Sequence, residues 1–366
     1  MRFRFSLTGS RIYDFIHFPR LLYYTQEYES SKEWQNYEEL VMDDYLDLVK
    51  KVEDRLKPFS KEIEIFYMKD LFSGYDFIDL ISRATGLLGY EREEEYLDVL
   101  LTLDEQEIRR NIILSILIQN ENSFSEETRT RADEIIKDRD VMISFIKELP
   151  TEAGIKWNLF LFIDEPLKYT KIYVGLMTKL LPIFKDIYLP YEEEVKKYGE
   201  ELVSFLNKKG AEGLREISYS ILDASILDNK EVYTILISVF FSYTVSMAVT
   251  MEDKYIAWGI EMEEAFKKMK EINDNKINER VQVFKNLGDR TRYEVLKLIA
   301  SGETSTKEIA NRLGVTSATV SYHINNFLTS KVIKLDKSNT RFGYVVDYDL
   351  LNEIIEGLKE DLQFPT

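Results

Sequence analysis

The apolar positions of residues 10–210 repeat with the period of a helix. Between Glu33 and Lys57, the residues Trp34, Tyr37, Val41, Tyr45, Leu48, Val52 and Leu56 follow one another at spacings of three and four, and Pro58 ends the run. Such spacing puts these side chains on one stripe of a 3.6-residue helix, so it predicts a long amphipathic helix that stops at the proline. Comparable segments are predicted near 104–120, 125–149, 166–185 and 190–208, the last opened by Pro190 and closed by Gly210.

The period changes in the run Val232–Met251, which holds no charged residue. Its length is that of a membrane span. Every odd position from Tyr233 to Met251 is apolar or aromatic, however, whereas the even ones include Thr234, Ser238, Ser242, Thr244, Ser246 and Thr250. Period two belongs to β-structure with one buried face, and the flanks Glu231 and Glu252-Asp253 lack the basic anchors of a span. Strands are predicted, and no membrane association. A two-residue hairpin would flip the parity of the pattern, and nothing between 233 and 251 flips it. A long bent strand, or two strands joined by a bulge near Phe241-Ser242, is therefore expected. Alternation in Ile217–Leu222 and Tyr255–Met262, with turn residues at Asp228-Asn229 and Glu252-Asp253, extends this into a small antiparallel meander. The charged stretch Glu261–Lys285 is expected to be a linking helix.

Past that helix the end signals become dense. Asp289 stands ahead of an amphipathic segment through Ile299 and can cap it. Ser305-Thr306-Lys307-Glu308 has the capping-box spacing, and Gly314 ends the short helix that it opens, with Ile309, Ala310 and Leu313 facing inward. Thr316 can cap the next helix, whose inward stripe is Val320, Ile324, Phe327 and Leu328. Two β-rich runs follow, Val332–Leu335 and Phe342–Val346, joined by the turn 336–340. Helix-turn-helix followed by a hairpin predicts a winged helix. The chain as a whole is predicted to be predominantly α with a small antiparallel β meander (α+β), in three parts. These are a mainly helical region 1–212, a meander and linking helix 213–276 for dimerisation or sensing, and a winged helix-turn-helix domain 277–366.

The recognition helix of such a domain lies in a negatively charged major groove, so its outer face should carry small or hydrogen-bonding residues and no carboxylate. Thr316, Ser317, Ala318, Thr319, Ser321, Tyr322, His323 and Asn325 meet that requirement, and Lys334, Lys337 and Arg341 on the hairpin are placed to meet phosphate oxygens. His323 sits on the flank of the buried stripe, where it packs or reaches a phosphate more readily than it binds a metal.

Charge and composition narrow the chemistry. The net charge of −17 looks adverse to a polyanion partner, but residues 277–366 hold 12 basic and 12 acidic residues, so the whole excess belongs to residues 1–276. Residues 278–347 carry 11 basic against 7 acidic residues, the sign a DNA-binding module needs. There is no cysteine and there are two histidines, His17 and His323, which excludes thiolate or His-rich metal sites and leaves little for a His-dependent triad. No phosphate-binding glycine loop is present, and runs such as Glu93-Glu94-Glu95 and Glu192-Glu193-Glu194 read as solvated helix faces. No enzyme activity and no cofactor are expected. The 23 Tyr, 21 Phe and 3 Trp lie mostly before residue 277 and read as a bulky core. The amino terminus has no apolar run long enough for a signal peptide, which predicts a cytoplasmic protein.

Taken together, Leu287-Gly288-Asp289 with Thr291-Arg292, Glu308-Ile309-Ala310 with Leu313-Gly314-Val315, and Thr319-Val320-Ser321-Tyr322-His323-Ile324 resemble the ArsR-type winged-helix repressors, over about 75 of the 366 residues. The resemblance implies a transcriptional regulator that binds a double-stranded, partly palindromic DNA operator as a homodimer, usually a repressor released by an effector. Two departures stand out: that family's metal-binding cysteine motif is missing, and Tyr322 occupies a place where it often has Arg or another polar reader. A small-molecule effector of unknown identity is expected in the aromatic-rich N-terminal part. The alternative is a winged-helix module that docks another protein. Because neither thiolates nor paired histidines are at hand, DNA affinity is expected to stay unchanged on adding zinc or a chelator. A large shift of the binding curve with a transition metal would contradict this.

Overall fold

Arg2–Phe5 opens the chain as strand β1, and Ser6 ends it by accepting the Gly9 N–H and so capping helix α1, Leu7–His17. The computed structural model describes residues 2–23, 43–67, 75–121, 125–222, 227, 231–249, 254–274, 276–336 and 343–364. The predicted helix from residue 33 falls partly outside them, and its described part is α2, Asp43–Leu56. There follow α3 Ser60–Tyr67, α4 Phe77–Thr85, α5 Glu93–Thr102, α6 Glu105–Glu121, α7 Glu126–Lys137 and α8 Arg139–Glu148. The predicted segment 125–149 is two helices because Asp138 caps the second, accepting from Asp140 and Val141 N–H. Then come α9 Ala153–Asp164, α10 Pro166–Tyr188, α11 Glu192–Lys209 and α12 Ala211–Ile217. Strands β2 Val232–Ser238, β3 Val245–Val249 and β4 Lys254–Gly259 lead to α13 Met262–Asp274 and α14 Lys276–Leu287. Last are α15 Arg290–Ala300, α16 Thr306–Leu313, α17 Ser317–Thr329, β5 Ile333–Asp336, β6 Gly343–Val346 and α18 Tyr348–Asp361. No helix among the described residues is long and apolar enough to cross a membrane.

The fold is predominantly helical α+β, and the contacts divide it into two units, residues 1–217 with 224–265 and residues 218–223 with 266–366. In the first, the sheet order is β1-β2-β4-β3, with β1, β2 and β4 parallel and β3 antiparallel on the edge. The pairing is thus mixed where a purely antiparallel meander was expected. The unflipped parity did signal this: β2 and β3 are not partners, and the chain turns at Phe240–Tyr243 to reach the far side of β4. A bulge is replaced by that turn. Ile217–Leu222 forms no strand either, since α12 runs to Ile217 and Tyr219 and Ser220 adopt positive φ. The strands expected in a separate part 213–276 therefore share a sheet with Arg2–Phe5.

Central position explains the burial of β2. Flanked by β1 and β4, it buries Thr234, Leu236 and Ser238 as well as its odd positions, as a parallel interior strand does. Helix α1 lies against it with Ile12, Phe15 and Ile16 fully buried. The aromatic residues serve the core: Phe15, Phe18, Phe184, Tyr188 and Phe240 pack with ring centroids 5.1–6.4 Å apart. Phe66, Phe77, Phe162 and Tyr173 form a second group. The acidic runs are not plain solvated faces, because Glu93 is buried and shares Arg11 with Glu192.

Polar groups on α1 hold the end of β2. Ser10 Oγ accepts the Ile237 N–H at 2.8 Å, and the fully buried Asp14 accepts the Ser238 hydroxyl and, at 2.8 Å, the Val239 N–H. Burial pushes the Asp14 carboxyl up to about 7, although the Ser238, Val239 and Phe240 donors oppose it. Burial likewise holds the His17 imidazole down to about 3, its Nδ1 lying 2.8 Å from the Tyr13 carbonyl.

Asp14→Ala leaves these buried donors unpaired and should cost about 2–4 kcal/mol, read from urea denaturation. Between about pH 4 and 7 the unfolded chain ionises Asp14 while the folded chain keeps the proton. The stability of the wild type relative to Asp14→Asn should therefore fall as pH rises through that window and level off above it; a constant difference from pH 4 to 8 would contradict the shift.

Candidate DNA-binding interface

Three caps set the geometry of the second unit. Asp289 Oδ1 accepts the Arg292 N–H at 2.8 Å and starts α15. Ser305 starts α16 by accepting the Glu308 N–H, but the return arm comes from Glu303, whose carboxylate accepts the Ser305 N–H at 3.1 Å in place of Glu308. Gly314 closes α16 at φ 67°, a left-handed conformation that glycine adopts without strain, and Thr316 Oγ1 accepts the Thr319 N–H to start α17 two residues later. That tight junction is a helix-turn-helix. Val320, Ile324 and Phe327 of α17 enter a core with Val295, Ile299, Ile309, Ala310, Val332, Ile333, Val346 and Ile354. The antiparallel pair β5–β6 forms the wing.

Burial of that stripe decides what α17 presents. Thr316, Ser317, Ala318, Ser321 and Asn325 are exposed, and Thr319 and Tyr322 are half-buried. No residue of 316–329 carries a formal charge at neutral pH, so this face brings hydroxyls and amides to a groove without a carboxylate to repel its phosphates. His323 departs from the expectation. Three residues after Val320 and four before Phe327, it is carried by the helical period to the core side, where it is 7% exposed. Burial and the nearby Arg292 guanidinium lower its pKa and keep the imidazole neutral, so neither its position nor its charge suits a DNA contact. Lys334 is exposed on β5 with its Nζ 3.2 Å from Asp347 Oδ2, an ion pair that a phosphate would have to displace. Burial works against the Asp347 charge, but the Leu350 N–H and Lys334 hold the carboxyl below its ordinary value. Lys337 and Arg341 lie outside the described residues.

The sequence reading missed a partly buried polar cluster at the carboxyl end of α17. Asn286 on α14 donates Nδ2–H to Ser330 Oγ at 3.0 Å and accepts from Arg292 Nη1 at 2.7 Å. Arg292 belongs to the Asp289–Arg292 motif, but Asn286 and Ser330 lie 44 residues apart and carry no local signal of their meeting.

Residues 287–335 match the model of a helix-turn-helix domain family. A helix-turn-helix-type transcriptional regulator of Methanocaldococcus jannaschii is 34% identical over 87 residues, which is 23% of this chain and 97% of that protein. The chain belongs to the helix-turn-helix transcriptional regulators. Its likeness within them is of ArsR type: KmtR of Mycobacterium tuberculosis is 31% identical over 93 residues, 25% of this chain and 68% of KmtR. The arsenical resistance operon repressor of Staphylococcus aureus is 24% identical over 76 residues, 21% of this chain and 73% of that repressor. No solved structure matches the chain. As an ArsR-type regulator it is a DNA-binding protein, and the solvent-facing side of α17 is its candidate base-reading surface.

Tyr322 tests that surface. Loss of a base-edge contact is worth about 1–3 kcal/mol of discrimination, so Tyr322→Ala should weaken operator DNA far more than random DNA, measured by fluorescence anisotropy. A folded variant with an unchanged ratio would remove Tyr322 from the reading face.

Proposed function

We propose that this regulator is a homodimeric, ligand-responsive repressor in which two copies of α17 read the half-sites of an operator. The observation that carries the reading is the uncharged outer face of α17, held by its Thr316 cap and by the buried Val320, Ile324 and Phe327. One recognition helix offers few base contacts, and paired half-sites about one helical turn apart supply the rest. Helices α14 and α18 pack on each other and leave Val281 (54% exposed) and Ile355 (46% exposed) in solvent, apolar surface that a second copy would cover. On this reading the wing grips the backbone through Lys334, Lys337 and Arg341, and an effector acts through residues outside the winged helix, within the cytoplasm.

Recovery of bound genomic fragments by the purified full chain is the direct test. Enrichment of a discrete sequence, with affinity falling steeply as salt rises, is the expected result; indifference to DNA at low salt would overturn the proposal. Light scattering should give twice the chain mass, and Val281→Glu with Ile355→Glu should yield monomer with weakened operator binding. Monomer in the wild type at micromolar concentration, with and without operator, would remove the dimer.

A further inference from the structure

The polar cluster behind the recognition helix has a fixed direction. Arginine only donates hydrogen bonds, so the side-chain oxygen of Asn286 must face Arg292 Nη1 and its NH2 group must face Ser330. With its oxygen accepting from Asn286, the Ser330 hydroxyl has one proton left, and it donates that to the Asn326 carbonyl in the last turn of α17 at 2.8 Å. The relay therefore runs Arg292 to Asn286 to Ser330 to the α17 backbone and crosses three helices. Asn286 is 7% exposed, so little water competes for these bonds. Two more buried atoms of the same neighbourhood, Arg292 Nε and His323 Nδ1, have no hydrogen-bond partner in the described structure. The first is a donor and the second, on a neutral imidazole, can accept.

We propose that Asn286 is a positioning residue for DNA recognition: by bridging Arg292 and Ser330 it fixes the carboxyl end of α17, and so the pitch of the base-reading face, relative to α14. The proposal rests on the DNA-binding reading above. The residue touches no base; it acts through Ser330. Only an amide at 286 serves both neighbours. A carboxylate there would still accept from Arg292 but would draw the Ser330 proton away from Asn326, and an alanine would remove the acceptor of the half-buried Arg292.

The test uses the full chain, the recovered genomic fragment and a random-sequence duplex of equal length. Asn286→Asp, which keeps Arg292 paired, and Ser330→Ala, which leaves Arg292 and Asn286 bonded, should each lower affinity for the genomic fragment about tenfold, with random-duplex affinity within about twofold, at a temperature where melting curves show both variants folded. Because both break one relay, the double variant should lose much less than the product of the single losses. Ser330→Thr, which keeps the hydroxyl, should restore binding. Folded variants with the wild-type ratio of specific to random affinity would overturn the positioning role and leave the DNA-binding reading standing. Equal loss on both duplexes with a lowered melting midpoint would show a merely structural role and also overturn it. A wild-type chain that prefers no genomic fragment would sink the DNA-binding reading and this inference together, a result distinguishable because it appears before any substitution is made.

Discussion

The parallel pairing of Arg2–Phe5 with Val232–Ser238 is the constraint on which the first unit depends. Parallel neighbours cannot be joined by a tight turn. Here their connection contains every helix from α1 to α12, so the start of the chain must find a partner more than two hundred residues away. The entropy of closing so long a connection grows only logarithmically with its length, and the inserted helices bury cores of their own. Register is the harder problem, because a slip of one residue exchanges the two faces of a strand. Helix α1 solves it. Being continuous with β1, it places Ser10 and Asp14 against the Ile237 and Val239 N–H groups of the neighbouring strand, and a slip would leave Asp14 without those donors. The pairing and the polar groups that police it come from the first fourteen residues.

The second unit is assembled from local contacts instead. Caps at Asp289, Ser305 and Thr316 fix where its helices start, and Gly314 fixes where α16 stops. Once those ends are set, burial of Val320, Ile324 and Phe327 leaves α17 one rotation about its axis. That is why an outer face of hydroxyls and amides follows from the sequence. It is also why His323 does not belong to it.

The same difference in range explains what could be read from the chain. Helix ends at Pro58, Gly210, Ser305 and Thr316, the stripe of α17 and the absence of a hairpin between 233 and 251 are written within a few residues, and they were legible. The partner of β2 was not, because nothing in Arg2–Phe5 states that it pairs with a strand near residue 232. Alternation over 232–238 suggested one buried face, yet a central parallel strand buries both, with Thr234 and Ser238 held by Arg4 and Asp14. Glu93 looked like one of three solvated carboxylates until Arg11, from α1, was seen to reach it. In the candidate site, the exposed hydroxyls of α17 were legible from spacing, whereas the burial of His323, the Lys334–Asp347 pair and the meeting of Asn286 with Ser330 depend on residues that only the tertiary fold brings together.

The relation between the units turns on where a signal can enter. The M. jannaschii relative is hardly longer than the matched region, whereas here that region is 23% of the chain. The winged helix has no cysteine with which to bind an effector metal, and its histidine is buried and neutral. On the proposed reading an effector acts through residues outside the winged helix, and α14 is the helix that leads into it. Helix α14 follows α13 after a single residue and carries Asn286 one position before its end. A side chain there, bonded at 2.7 Å to one helix and at 3.0 Å to the terminus of another, converts a small displacement of α14 into a choice between moving α17 and breaking two part-buried hydrogen bonds. Breaking them leaves the buried Asn286 amide without partners, a cost that opposes the displacement. The recognition helix therefore has reason to follow α14.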